Sequence, residues 1–207
     1  VSKSIEYLNK MNMTVQSPGL SLALGSAEFT PLQMAAAYAT IANDGTYIQP
    51  TFYSKVVDLD GNVVIEPHQT KTEVFGKSES YIIKSIITEP VVGVGTPATH
   101  GRGGTATYCK IPGMDVCAKT GTTDDDYDRW LCGFTSYGYD QNEEVKYTKA
   151  SPTNPAGGIW SAVMKSIHTG LEPKTFVKPD DVVQATVCHD SGLLPSAGCT
   201  NVVTDWF

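Results

Sequence analysis

The chain has 207 residues, 41% of them hydrophobic, which excludes a disordered segment and is enough to bury a sizeable core. A formal net charge of −7, with 15 Lys and Arg scattered rather than clustered, argues against nucleic acid as a partner. No stretch approaches the roughly 20 consecutive apolar residues that cross a bilayer, and the opening VSKSIEYLNK has neither the basic nor the apolar region of a targeting segment.

Ile5, Leu8 and Met11 recur at the spacing of one helical face, predicting a short helix over 4–11 that Asn12-Met13-Thr14 ends. Thr30 then suits an N-cap, with Pro31 at the first helical position and Gln33 placed as in a capping box. The alanine-rich helix that follows, 32–42, closes on the turn signal Asn43-Asp44-Gly45. Residues 52–59 and 63–65 flank Asp60-Gly61 and read as two strands of a hairpin. Ile82, Ile83, Ile86 and Ile87 fit a helix over 79–88, with Glu89-Pro90 as its stop. The glycine-rich stretch 91–117 reads mostly as loop.

Residues 114–123 and 129–135 read as strands of a second hairpin around the acidic turn Asp124-Asp125-Asp126. Ile159, Val163 and Ile167 define one face of a helix ended by Gly170, with Trp160 and Met164 in the adjacent row. Pro173 and Pro179 mark a linker into a tail where Cys188 and Cys199 bracket a short Gly/Pro loop. Five cysteines cannot all pair, and Cys188–Cys199 is the expected disulfide, which suggests an oxidising, extracytoplasmic setting; two free thiols are the alternative.

Other signals are weaker. Gly93-Val94-Gly95-Thr96-Pro97-Ala98 spells G-x-G-x-x-A but follows Pro90 instead of opening a helix, so a dinucleotide site is not expected. Cys109, Cys117 and Cys132 lack zinc-ligand spacing, and Asp124 to Asp128 lacks the glycine and terminal glutamate of a calcium loop, so no metal site is expected. His68, His100, His168 and His189 are expected at the surface.

The specific signal is Ala118-Lys119-Thr120-Gly121-Thr122-Thr123 with Asp128-Arg129-Trp130 and Gly133-Phe134-Thr135. It resembles the hairpin of the penicillin-binding proteins and serine beta-lactamases, whose signatures are S-x-x-K, S-x-N and K-T-G. Leu22-Ala23-Leu24-Gly25, Thr30-Pro31-Leu32, Ala35-Ala36-Ala37-Tyr38-Ala39 and Ala42-Asn43-Asp44-Gly45 are similar to the bifunctional class A branch. So are Val91-Val92 with Gly95-Thr96, and Pro155-Ala156 with Ile159-Trp160. The resemblance thins after Lys178.

The resemblance implies an α+β fold, an antiparallel sheet covered by helices on both sides, with a helical subdomain. This chain would supply its C-terminal part. Residues 1–178 would be the C-terminal half of a transpeptidase domain and 179–207 a C-terminal tail. The implied activity is peptidoglycan D,D-transpeptidation on the extracytoplasmic face of a bacterial membrane, without a cofactor. The implied ligands are stem peptides and beta-lactams. Lys119 and Thr122 would take part in catalysis, the lysine through proton transfer and the threonine through an oxyanion-hole N–H. Lys119, Thr120, Gly121, Thr122 and Thr123 would hold the substrate.

No serine in the chain has a lysine three residues on; Ser80 with Lys84 and Ser161 with Lys165 are four apart, and S-x-N is absent. The nucleophile is therefore expected N-terminal to Val1, on a separate polypeptide or a missing segment. Only Ser136 and Tyr137 separate Thr135 from Gly138-Tyr139-Asp140, where the family continues into an apolar strand, so residues are expected to be missing there too. A D,D-carboxypeptidase, a beta-lactamase and a non-catalytic wall-peptide-binding module remain alternatives.

Overall fold

The structure, a computed structural model, describes residues 1–93, 104–122, 129–136 and 155–207. It divides into two compact units, Val1–Gly76 and Lys77–Phe207.

In the first unit, α1 (Ser2–Lys10) lays Tyr7 and its following Met11 against a small core of Ala36, Tyr47 and Val74. α2 (Pro31–Ala42) starts with the capping box its sequence spells: Thr30 Oγ1 accepts the Gln33 N–H at 3.2 Å, and Gln33 Oε1 accepts the Thr30 N–H at 3.0 Å. Two orphan donors are thereby satisfied. Gly45 follows at φ +85°, where a Cβ would collide with the Phe75 carbonyl. Glycine thus lets β1 (Thr46–Ile48) leave the helix and pair antiparallel with β4 (Lys71–Glu73). Neither three-residue strand is long enough to show a period in the sequence. Between them, β2 (Val56–Val57) and β3 (Val63–Ile65) form the hairpin around Asp60-Gly61. The Asp58 carboxylate accepts the N–H groups of Asp60 and Asn62 at 3.0 and 2.8 Å. A register shift between Val56 and Val57 leaves the first strand shorter than its apolar run suggests.

The second unit opens with α3 (Lys77–Val92), which runs through Pro90 rather than stopping before it. Pro90 lies in the last turn, so its missing N–H removes one bond only, and its carbonyl accepts the Ala106 N–H at 3.0 Å. β5 (Val116–Thr122) and β6 (Arg129–Thr135) pair antiparallel along their whole length. Alternation places Val116, Ala118 and Thr120 on one face and Cys117, Lys119 and Gly121 on the other. α3 covers the Cys117 face, where the thiol donates to the Lys84 carbonyl at 3.4 Å and lies 3.4 Å from the Thr88 hydroxyl. α4 (Pro155–Ile167) covers the Ala118 face, with the Trp160 ring over Gly133 and Met164 against the buried cluster. The hairpin is thus an antiparallel sheet with a helix on each side, an α+β arrangement.

α4 does not bury the face that Ile159, Val163 and Ile167 suggest, since Ile159 is 48% exposed. Its small residues decide the packing: Gly157 lies against the Tyr108 ring, and Ser161 is buried. The Ser161 hydroxyl and Lys165 Nζ both donate to the Tyr108 carbonyl, at 2.7 and 2.9 Å. They pin the 3-10 turn Thr107–Cys109. That segment is fixed at its start as well, because Gly104 presses on the Pro90 carbonyl where a Cβ would not fit. Gly93, whose N–H returns to the Glu89 carbonyl at 3.2 Å, lies beside Gly104.

After α4 the chain runs back past the start of β5: the Asp115 N–H donates to the Lys174 carbonyl at 3.1 Å, and the Asp115 carboxylate accepts the Phe176 N–H at 2.7 Å. The tail is a hairpin, β7 (Gln184–Cys188) and β8 (Val202–Trp206), with a Cys188–Cys199 disulfide at its closed end. It packs on α3 through the Trp206 ring, edge-on to Tyr81 at 5.7 Å, and through the Ser78 hydroxyl, 2.6 Å from Asp181. Among the described residues no helix is long and apolar enough to cross a membrane.

Candidate active site

β5 leaves its helical cover as it runs. Val116, Cys117 and Ala118 are buried, Thr120 and Gly121 half-buried, and Lys119 and Thr122 exposed. The buried start of the strand fixes the exposed end, since residues 116 to 118 are held by α3 and α4 and the whole strand by β6. Among the described residues β5 pairs only with β6, so its other edge is unpaired there.

Four of the five expected substrate-holding residues meet on this exposed end. Lys119 Nζ donates to the Thr120 carbonyl at 2.7 Å, keeping the cation against its own strand. Thr120 Oγ1 donates to Thr105 Oγ1 at 3.0 Å. Gly121 faces Trp130 and Thr122 faces Arg129 across the ladder. A Cβ on Gly121 would stand 3.4 Å from the Trp130 Cβ, so the hairpin itself nearly accommodates a side chain there. Thr123, Asp124 to Asp128, the Gly95-Thr96 element, His100 and Gly138 to Asp140 lie outside the described residues.

The remaining candidate groups are occupied structurally. Ser161 and Lys165 spend donors on the Tyr108 carbonyl, and Ser80 and Lys84 are buried, with Lys84 Nζ 5.3 Å from the Phe176 ring centre. Burial pushes the Cys109 and Cys117 thiols up to about 12 and raises Cys132, so all three stay protonated and unreactive near neutral pH. They are free thiols. No three His, Cys, Asp or Glu among the described residues gather as metal ligands.

Two residues escape sequence reasoning. His168, expected at the surface, is buried: its Nδ1 lies 2.7 Å from the Met164 carbonyl and its Nε2 2.8 Å from the Thr135 hydroxyl. A carbonyl only accepts, so Nδ1 carries a proton and donates it to Met164. Thr105 is the other. Its signal was a second Gly-Thr pair, Gly104-Thr105, downstream of Gly95-Thr96.

An ammonium, two hydroxyls and a strand edge that is unpaired among the described residues are groups that can hold an extended chain ending in a carboxylate. The family description "Penicillin binding protein transpeptidase domain" matches residues 3–147, and "Penicillin-binding protein 1A, C-terminal domain" matches 178–207. Penicillin-binding protein 1A of Clostridium botulinum is 32% identical over 209 residues, covering 95% of this chain and 24% of that one. The crystal structure of penicillin-binding protein 1A from Haemophilus influenzae superposes with a TM-score of 0.70 at 21% identity, over 99% of this chain and 36% of the other. The solved structure of the penicillin-binding protein PonA1 from Mycobacterium tuberculosis gives 0.57 at 25% identity, over 78% of this chain and 44% of the other. The chain spans about a quarter of the length of the curated relatives it matches. With a transpeptidase match over most of its length and the K-T-G strand presented at the end of a helix-covered hairpin, the chain belongs to the penicillin-binding protein transpeptidase domain family.

Proposed function

We propose that this chain is the substrate-holding part of a class A peptidoglycan D,D-transpeptidase. In the whole protein its nucleophilic serine and that serine's lysine partner lie N-terminal to Val1. The observation that carries this reading is the placement of Lys119, Thr120, Gly121 and Thr122 on the exposed end of β5. The stem peptide lies, as an added strand, along the edge of β5 that is unpaired among the described residues. Gly121 lets its backbone come close, since the glycine is not demanded by the hairpin's own packing. Lys119 and the hydroxyls of Thr120 and Thr122 receive the terminal carboxylate, and Thr123 also binds the substrate.

The serine Oγ attacks the carbonyl of the penultimate D-Ala, the C–N bond breaks, and the terminal D-Ala leaves with the proton relayed to its nitrogen. An acceptor amine then attacks the ester and frees the serine. A beta-lactam acylates the same serine by opening its ring C–N bond. The Thr122 N–H is one of the two oxyanion donors, and losing such a donor costs about 3 kcal/mol. Residues 1–178 belong to the transpeptidase domain and 179–207 form a separate C-terminal tail, both on the extracytoplasmic face.

Fluorescent penicillin added to the whole protein tests the reading. A covalent band, competed by unlabelled penicillin and weakened at least about tenfold by Lys119→Ala, is the expected result. A folded protein that takes no label is instead a non-catalytic wall-peptide-binding module. Analysis of the products formed with an acceptor amine present separates cross-linking from plain hydrolysis.

A further inference from the structure

The hydroxyl of Thr120 is not free to choose its partner. It donates its single hydrogen to Thr105 Oγ1 at 3.0 Å, and Thr105 sits on a segment fixed from both sides. On one side Gly104 rests on the Pro90 carbonyl, which also accepts the Ala106 N–H at 3.0 Å. On the other, Ser161 and Lys165 hold the Tyr108 carbonyl. Ala106 and Cys109 are fully buried between these anchors. Thr105 is therefore presented to β5 by α3 and α4 together, although its own side chain is at the surface.

A carboxylate accepts hydrogen bonds and gives none. For Thr120 to bind one, its hydrogen must turn from Thr105 to the ligand, which leaves the Thr120 oxygen facing a second hydroxyl. Thr105, which only accepts across this pair in the structure, then donates after a small rotation of its own side chain. The result is a relay in which Thr105 donates to Thr120 and Thr120 to the carboxylate, each bond polarising the next. We infer that Thr105 is a positioning residue for carboxylate recognition, acting through the Thr120 hydroxyl. This rests on the reading of β5 as the substrate-holding strand. A valine at 105 would keep the shape and lose the relay, and a serine would keep it.

The test uses the whole protein and the second-order rate of its acylation by fluorescent penicillin. Thr105→Val is expected to slow acylation about three- to tenfold at an unchanged Tm, the range for one hydrogen bond, and Thr105→Ser to restore most of the rate. In a Thr120→Val background, Thr105→Val is expected to have no further effect, because its route to the ligand is gone. A Thr105→Val protein that labels at the wild-type rate overturns the inference. So does a loss that persists in full on top of Thr120→Val, or a serine variant as slow as the valine, either of which marks a packing role. Wild-type protein that takes no label instead sinks the proposed function itself.

Discussion

A Cβ built on Gly133 would stand 2.7 Å from the Cys117 carbonyl oxygen and 3.0 Å from the Trp160 ring, whereas one built on Gly121 meets, among the described residues, only the Trp130 Cβ at 3.4 Å. The first glycine is required by the fold, whereas no described residue of the hairpin requires the second. Gly133→Ala is accordingly expected to destabilise the protein by about 1–3 kcal/mol, while Gly121→Ala changes stability by no more than about 0.5 kcal/mol. Urea unfolding midpoints check both, and penicillin labelling of the whole protein should fall for Gly121→Ala despite its intact fold. The placement of Lys119 and Gly121 on one strand was legible because a short motif carries them together. The surroundings of Thr105 and His168 were not, because their hydrogen bonds to Thr120 and Thr135 are contacts that sequence spacing does not encode.

At the level of elements, the most legible feature was the start of α2, where the reciprocal Thr30 and Gln33 bonds are local and each residue sits within a turn of its partner. Thr30→Ala should cost about 1 kcal/mol, read as a lowered Tm. The end of α3 was misread for a physical reason. Proline is costly in a helix interior, but in the last turn it forfeits one bond, and here its carbonyl gains the Ala106 N–H. The packing face of α4 was misread because apolar periodicity favours Ile159, whereas the close approach of Tyr108 selects Gly157 and Ser161. The β7–β8 hairpin escaped notice because its cysteines and turn residues drew the reading toward a loop, although Gln184 to Cys188 and Val202 to Trp206 pair in full register.

For the molecule as a whole, the α+β class followed from a motif whose neighbours span nearly the entire sequence, and the helix, hairpin, helix packing of the second unit gives that class its physical form. The same packing sets an alkaline limit. Cys109 and Cys117 rise from the ordinary 9.0 to about 12 on burial, and Tyr81 and Tyr108 rise for the same reason. Above pH 9 the unfolded chain sheds thiol protons that the folded chain retains, so stability held below pH 9 should be lost progressively toward pH 12. Urea midpoints measured across that window check the slope, and Cys117→Ala should flatten it. A different consequence follows from the meeting of Gly93 and Gly104, where a Cβ on the first would lie 3.9 Å from the backbone nitrogen of the second. The exit and re-entry of the chain around 94–103 are a single doorway, its width set by Pro90 and Thr107 and not by how many residues pass through it. The same two contacts that set this doorway therefore also hold the start of the segment that carries Thr105, so a side chain added at Gly93 or Gly104 would push on Thr107 or Pro90 and be felt at Thr105.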